Sequence, residues 1–78
     1  MNQYVVLYGK PNCPLCEEAK EIIKRLKKEY DFNLIEKDIY ADEQLLEKYM
    51  LKIPVIEMNG KEVDYGRINE QLIRNRLQ

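Results

Sequence analysis

Apolar residues recur with two different periods along this 78-residue chain, and the change of period separates strands from helices. Short runs rich in β-branched and aromatic residues, of which residues 4–8 form the first, are typical of strands. Asn59-Gly60 between the last two runs predicts a hairpin with antiparallel strands. The four predicted strands cover residues 3–8, 32–38, 54–58 and 61–65.

Three amphipathic stretches alternate with these strands. The first predicted helix covers about residues 13–30, the second 42–50 and the third 67–77. The buried face of the first helix is marked by apolar residues at helical spacing: Leu15, Ala19, Ile22, Ile23, Leu26 and Tyr30. The order βαβαββα predicts an α/β fold, with the first two strands parallel and joined by a right-handed crossover. We expect a single domain over residues 1–78.

Composition narrows the class of protein. With 13 Lys and Arg against 14 Asp and Glu, the chain lacks the basic excess of a nucleic-acid-binding surface, so we expect no nucleic-acid partner. The longest apolar run is about five residues, against roughly 20 for a membrane span, so we expect no membrane partner. The first four residues lack the charged and apolar regions of a signal peptide. Both cysteines belong to one motif and leave none for structural bridges, which favours a cytoplasmic protein.

That motif is Cys13-Pro14-Leu15-Cys16, between the first strand and the first helix. A Cys-x-x-Cys in this position is typical of a dithiol redox centre. The helix N-terminus stabilises a thiolate, which is the form that attacks disulfides. We therefore predict Cys13, at the helix start, as an exposed nucleophile, and Cys16, one turn later and more buried, as the resolving thiol.

Two other interpretations of the motif remain open. The spacing also suits half of a zinc site, although the chain has no histidine and no third cysteine, so a zinc site needs a second copy or carboxylate ligands. The pair can also be two ordinary buried cysteines.

Several residues outside the cysteine pair are further candidate site residues. Lys10 lies three residues before Cys13, where a cation lowers a thiol pKa, or it is a solvated loop lysine. Tyr8 can line a thiol-substrate surface or pack in the core. Pro54 can follow a cis bond or simply begin a strand. Gly66, with Arg67, either binds a carboxylate at a helix start or forms a simple turn.

The segment from Lys10 to Cys16, the Ile53-Pro54-Val55 run and the element order together resemble a glutaredoxin of the thioredoxin-like superfamily, over essentially the whole chain. The resemblance implies a four-stranded mixed sheet flanked by helices. It also implies that Pro54 is cis beside the dithiol, that Ile53 pairs with the substrate backbone, and that Lys10 assists thiolate formation and glutathione binding. We also expect Pro14, within the motif, to belong to the same substrate surface.

Two residues depart from the glutaredoxin pattern. Leu15 replaces the usual tyrosine of the motif. Asp64-Tyr65 stands where the family carries the Gly-Gly that holds the γ-glutamyl end of glutathione, with Gly66 one or two residues further on. A carboxylate at Asp64 disfavours the docking of another carboxylate. The chain is similar to small bacterial and archaeal glutaredoxin-like proteins, whose reductant can be a thioredoxin-type reductase instead of glutathione.

The sequence thus predicts a monomeric dithiol oxidoreductase that acts on disulfide-containing proteins or glutathione mixed disulfides. It needs no cofactor beyond glutathione as a possible co-substrate. The alternatives are a dimer that carries zinc or an iron–sulfur cluster through the same cysteines, and an interaction module with a redox-inert dithiol.

Overall fold

A computed structural model describes residues 3–78 and contains four strands and three α-helices in the predicted order. Met1 and Asn2, which belong to the segment interpreted as lacking a signal peptide, lie outside the described residues. The strands are β1 (Tyr4–Gly9), β2 (Asn33–Asp38), β3 (Val55–Met58) and β4 (Lys61–Tyr65). The helices are α1 (Pro14–Lys27), α2 (Glu43–Tyr49) and α3 (Glu70–Leu77), and a 3₁₀ turn covers Ile39–Ala41.

The strands form one mixed sheet in the order β2-β1-β3-β4, which confirms the predicted fold class. β1 and β2 are parallel across the α1 crossover, while β3 is antiparallel to both β1 and β4. Asn59 and Gly60 adopt positive φ angles of 51° and 88°, as a tight hairpin turn requires, so the predicted hairpin is confirmed. Tyr8 pairs with both Lys37 and Val55, so the carboxyl ends of β1 and β2 and the start of β3 meet at one edge.

The sheet has an apolar layer on each face, because successive side chains of β1 point to opposite faces. Val5 and Leu7 face α1 and α3 in the larger cluster. Tyr8 faces the other way and packs with α2 in a smaller cluster. The buried members of the smaller cluster are Tyr8, Ile39, Tyr49 and Val55.

Two predicted helix ends were wrong. α1 ends at Lys27 rather than near Tyr30, because the next N–H, of Lys28, bonds to the carbonyls of Arg25 and Leu26 in a tightened last turn. α3 begins at Glu70 rather than Arg67, with Asn69 as its N-cap. In the part of the chain that the structure describes, no helix has the length and apolarity to cross a membrane.

Candidate functional site

The two cysteines lie at the start of α1 and form a disulfide, with their Cα atoms 5.1 Å apart. Cys13 is the N-cap of the helix in an extended conformation, and Pro14 follows in the first turn, where its missing N–H leaves no hydrogen bond unmade. The Cys13 sulfur accepts a hydrogen bond from the Cys16 backbone N–H at 3.2 Å. The helix N-terminus therefore directs an N–H donor and partial positive charge at the Cys13 sulfur.

The expected exposure of Cys13 was wrong for this disulfide form. Cys13 is 9% exposed and Cys16 is 5% exposed, so the two residues are almost equally buried. The physical reason is the N-cap hydrogen bond together with the bond to Cys16, which turn the Cys13 sulfur back over the first turn of the helix. Its exposed neighbours are Asn12, with a left-handed φ of 57°, and Pro14.

Ile53-Pro54 is a cis peptide bond, as the resemblance implied. Pro54 is buried and Ile53 is half-buried at the entry to β3. Since Val55 pairs with Tyr8, this segment lies beside the end of the strand that leads to the cysteines. The Pro54 carbonyl accepts a hydrogen bond from the Gly66 N–H at 2.8 Å, which ties the segment to the turn after β4.

Tyr8 is only 7% exposed, so of its two interpretations the structure favours packing in the core over lining the substrate surface. Its ring packs against Tyr49 with centroids 4.8 Å apart. Its hydroxyl donates a hydrogen bond to Glu57 at 3.3 Å. Burial, reinforced by the Glu57 carboxylate, raises the pKa of Tyr8 to about 12, so the hydroxyl stays protonated. Tyr8 therefore supports the site by packing beneath it.

In the turn after β4, the backbone N–H groups are already hydrogen-bonded within the protein. The Asp64 carboxylate accepts hydrogen bonds from the N–H groups of Tyr65 at 2.9 Å and Asn69 at 2.8 Å. Gly66 has a left-handed φ of 73° and donates its N–H to Pro54. The structure therefore favours the simple turn of the two interpretations of Gly66.

The remaining predicted residues differ in exposure. Tyr65 is exposed, and the ammonium of Lys52 lies 5.1 Å from its ring centroid. Lys10 is exposed on the loop after β1, and Leu15 is half-buried in the first turn of α1.

Sequence reasoning missed a cavity of about 310 Å³ between the carboxyl ends of β1 and β2 and the first turns of α1. Its walls carry Lys20, whose ammonium lies 3.1 Å from the Glu36 carboxylate and 3.9 Å from that of Glu17. The hydrogen bond that the Lys20 ammonium donates to the Glu36 carboxylate is the main cause of the raised pKa of Lys20. The signal in the sequence was the predicted parallel pair, because ligand crevices form outside the carboxyl ends of parallel strands. The cavity is lined by Leu7, Gly9, Lys10, Pro11, Cys16, Glu17, Lys20, Glu36, Lys37 and Asp38.

No group of three or more His, Cys, Asp and Glu side chains suited to a metal ion occurs among residues 3–78. A metal bound through Cys13 and Cys16 thus needs ligands from outside this set, such as a second copy of the chain.

Comparison with known proteins identifies relatives that share part of this sequence. Glutaredoxin 1 of Salmonella typhimurium is 45% identical over 40 residues, and a glutaredoxin of Vibrio cholerae is 48% identical over 40 residues. Each match covers 50% of this chain and 46% of the relative, so the chain spans about half the length of these relatives.

Solved structures extend the likeness to the whole fold. The protein Ne2328 from Nitrosomonas europaea superposes with a TM-score of 0.87 at 28% identity, over 100% of this chain and 94% of that one. A thioredoxin of Fasciola hepatica superposes with a TM-score of 0.71 at 25% identity, over 97% of this chain and 78% of that one.

The model of the family described as "Glutaredoxin-like domain (DUF836)" matches residues 4–78, which include the cysteine pair, the cis-proline segment and the turn after β4. The chain therefore belongs to the glutaredoxin-like family of the thioredoxin superfamily.

Proposed function

We propose that this chain is a thiol–disulfide oxidoreductase that reduces protein disulfides or glutathione mixed disulfides through Cys13 and Cys16. The observation that carries the proposal is the disulfide at the start of α1, in which the sulfur of the first cysteine is itself the helix N-cap. Family membership supports the same chemistry.

The reaction has two exchange steps. The Cys13 thiolate attacks a substrate disulfide, forms a mixed disulfide and releases one substrate thiolate, which takes up a proton. The Cys16 thiol then loses its proton and attacks the Cys13 sulfur, which releases the second substrate thiol and leaves the Cys13–Cys16 disulfide. The Cys16 N–H and the helix N-terminus stabilise the Cys13 thiolate in the first step.

The proposal extends to the partners of the protein and to its cellular compartment. The substrate docks as an extended segment against Ile53 and Pro54, at the surface that Pro14 and Leu15 border. Glutathione or a thioredoxin-type reductase restores the dithiol. The protein acts as a monomer in the cytoplasm, where a reducing environment keeps such a pair in turnover. No metal, nucleic acid or membrane takes part.

Glutathione is a poor fit because Asp64 occupies the backbone donors that a carboxylate would use. Its carboxylate binds the N–H groups of Tyr65 and Asn69, and its negative charge repels an incoming carboxylate.

Asp64→Gly is therefore expected to raise kcat/KM for glutathione-dependent reduction about five- to tenfold, an effect of about 1 kcal/mol at the carboxylate site. Asp64→Asn, which removes the charge and keeps an acceptor, should give a smaller rise. Asp31→Asn removes an exposed carboxylate elsewhere and should leave the KM for glutathione unchanged. An Asp64→Gly protein that is folded but has the wild-type KM for glutathione would refute this explanation.

A redox titration in glutathione buffers, read by intact mass, tests the proposed function. We expect a reversible loss of two hydrogens with a single midpoint, because both cysteines belong to one couple. Glutathione adducts at intermediate buffer ratios would add support for glutaredoxin-type turnover. Failure to oxidise, or a mass that includes retained metal or cluster, would overturn the proposal and favour the dimeric carrier of zinc or an iron–sulfur cluster.

A further inference from the structure

Gly9 is a glycine that its own backbone conformation does not require. It is the last residue of β1 and pairs with Asp38 of β2. Gly60 and Gly66 have left-handed φ angles, at which any side chain is strained, whereas the φ of Gly9 lies outside that region. Alanine fits such a strand-end conformation and loses less conformational entropy than glycine on folding. What sets Gly9 apart is therefore its surroundings and not its φ angle.

The side chain of Cys16 fills the space beside Gly9. Because side chains alternate along β1, a side chain at position 9 would point to the α1 face, as those of Val5 and Leu7 do. A Cβ atom placed on Gly9 would lie 3.1 Å from the Cys16 sulfur and 3.3 Å from the Cys16 Cβ. Carbon atoms pack best at about 3.5–4.0 Å, and sulfur is larger, so both contacts would be too short. The end of β1 thus approaches Cys16 more closely than a side chain permits.

These two short contacts differ in how they depend on the redox state. The Cys16 Cβ is held by the helix backbone, so its contact with a new side chain would be present in both states. The Cys16 sulfur is held in place by its bond to Cys13 in the disulfide. In the dithiol, the same sulfur can turn about the Cα–Cβ bond to another staggered position. A side chain on Gly9 would therefore crowd the disulfide more than the dithiol.

We infer that Gly9 is a positioning residue of the cysteine couple, which lowers its reduction potential by leaving room for the Cys16 sulfur in the disulfide. The inference rests on the dithiol function proposed above and adds a residue that holds no part of the exchange chemistry. A couple whose disulfide is free of strain is harder to reduce, so its dithiol is the stronger reductant. Gly9 thus favours the direction in which the protein reduces its substrates.

The same space is used when the disulfide forms during turnover. In the resolving step, the Cys16 sulfur bonds to the Cys13 sulfur and the substrate leaves as a thiolate. The Cys16 sulfur has to reach the position beside Gly9 that it occupies in the disulfide. In the earlier step, the attack of Cys13 on the substrate, the Cys16 sulfur forms no bond. Gly9 therefore acts on the second step and not on the first.

A redox titration of Gly9→Ala in glutathione buffers is the first test. Glutathione disulfide takes two electrons and two protons from the protein dithiol and becomes two glutathione molecules. Overpacking of this kind commonly changes an equilibrium constant by about tenfold or more. We expect the equilibrium with glutathione to shift about tenfold toward the dithiol, which raises the reduction potential by about 30 mV for this two-electron couple.

Gly60→Ala is the matched control for this titration. Its Cβ would meet no atom within 4 Å, and its strained φ of 88° belongs to a hairpin turn outside the site. It should destabilise the oxidised and reduced proteins equally in urea and leave the midpoint unchanged. Gly9→Ala should instead destabilise the oxidised protein more than the reduced one.

The possible outcomes separate this inference from the proposed function. A folded Gly9→Ala protein with the wild-type midpoint would overturn the role of Gly9 and leave the proposed function intact. A Gly9→Ala protein that is unfolded in both redox states would also overturn it, because the disulfide would then not be the cause. A wild-type protein that does not oxidise would overturn both.

A kinetic measurement tests which step Gly9 serves, with hydroxyethyl disulfide as substrate and intact mass as the readout. In a Cys16→Ser protein, Gly9→Ala should leave the rate of mixed-disulfide formation on Cys13 unchanged. In the protein with both cysteines, Gly9→Ala should slow release of the mixed disulfide about threefold, because the new S–S bond is about half formed in the transition state. Slowing of the first step, or of neither step, would overturn the assignment of Gly9 to the resolving cysteine.

Discussion

Cys13→Ser is expected to lower disulfide reductase activity by at least about a thousandfold, because a serine hydroxyl does not ionise near neutral pH and cannot replace a thiolate nucleophile. The substitution should leave the fold intact. Cys13 is the N-cap of α1, and serine is among the preferred N-cap residues, so the helix start keeps an acceptor for the Cys16 N–H. Thermal unfolding of the reduced proteins would separate loss of chemistry from loss of structure.

Cys16→Ser is the matched control for this prediction. It removes the resolving thiol and keeps the thiol that the helix N-terminus activates, so mixed disulfides with substrates should accumulate and be visible by intact mass. Single-thiol turnover of glutathione mixed disulfides should persist in part. Accumulation in Cys13→Ser but not in Cys16→Ser would mean that the two roles are reversed. Full activity of Cys13→Ser in a biological assay would instead favour an interaction module with an inert dithiol.

The fold was predictable because its main signals are local. The period of the apolar residues gave the strands and helices, and Asn59-Gly60 gave the hairpin, since each depends on neighbours in the chain. The start of α3 was missed although Asn69, its N-cap, is a local signal, because hydrogen bonds to the preceding segments hold the residues before it out of the helix. The Asp64 carboxylate holds the Asn69 N–H, and the Pro54 carbonyl holds the Gly66 N–H, so residues 66–69 form a turn instead of a first helical turn.

The candidate site likewise has parts that the sequence predicts and parts that it does not. The cysteine spacing and the Ile53-Pro54 segment are visible in the sequence, and the structure brings both to the same end of the sheet. The cavity depends on where β2 lies relative to α1, which no local pattern gives. The burial of Tyr8 depends on α2 covering the second face of β1, and the low exposure of Cys13 depends on a disulfide that the expectation of a free thiolate left out.

The small cluster that buries Tyr8 supports the site from below. Among residues 3–78, Tyr49 at the end of α2 has the largest fully buried side chain, and it is 1% exposed. It contacts Tyr8 at the end of β1 and shares its cluster with Val55 at the start of β3. The end of β1 leads to Cys13, and the start of β3 directly follows Pro54. The Tyr49 side chain therefore supports both halves of the candidate site.

Tyr49→Ala is therefore expected to lower the free energy of unfolding by about 3–5 kcal/mol, the range for truncating a large buried aromatic side chain. A domain of this length has a total stability of roughly 4–12 kcal/mol, so this loss removes at least about a quarter of it. Urea unfolding of the oxidised proteins, followed by circular dichroism, measures the change.

Tyr40→Ala is the matched control, because Tyr40 is 57% exposed in the neighbouring 3₁₀ turn and its truncation should cost no more than about 0.5 kcal/mol. Equal losses in the two variants would show that the cluster does not carry this stability. If Tyr49→Ala alone is destabilised, the reduction midpoint of its folded fraction becomes informative. A shift of that midpoint would mean that the packing beneath β1 and β3 also sets the geometry of the cysteine pair, since no atom of Tyr49 belongs to the exchange chemistry itself.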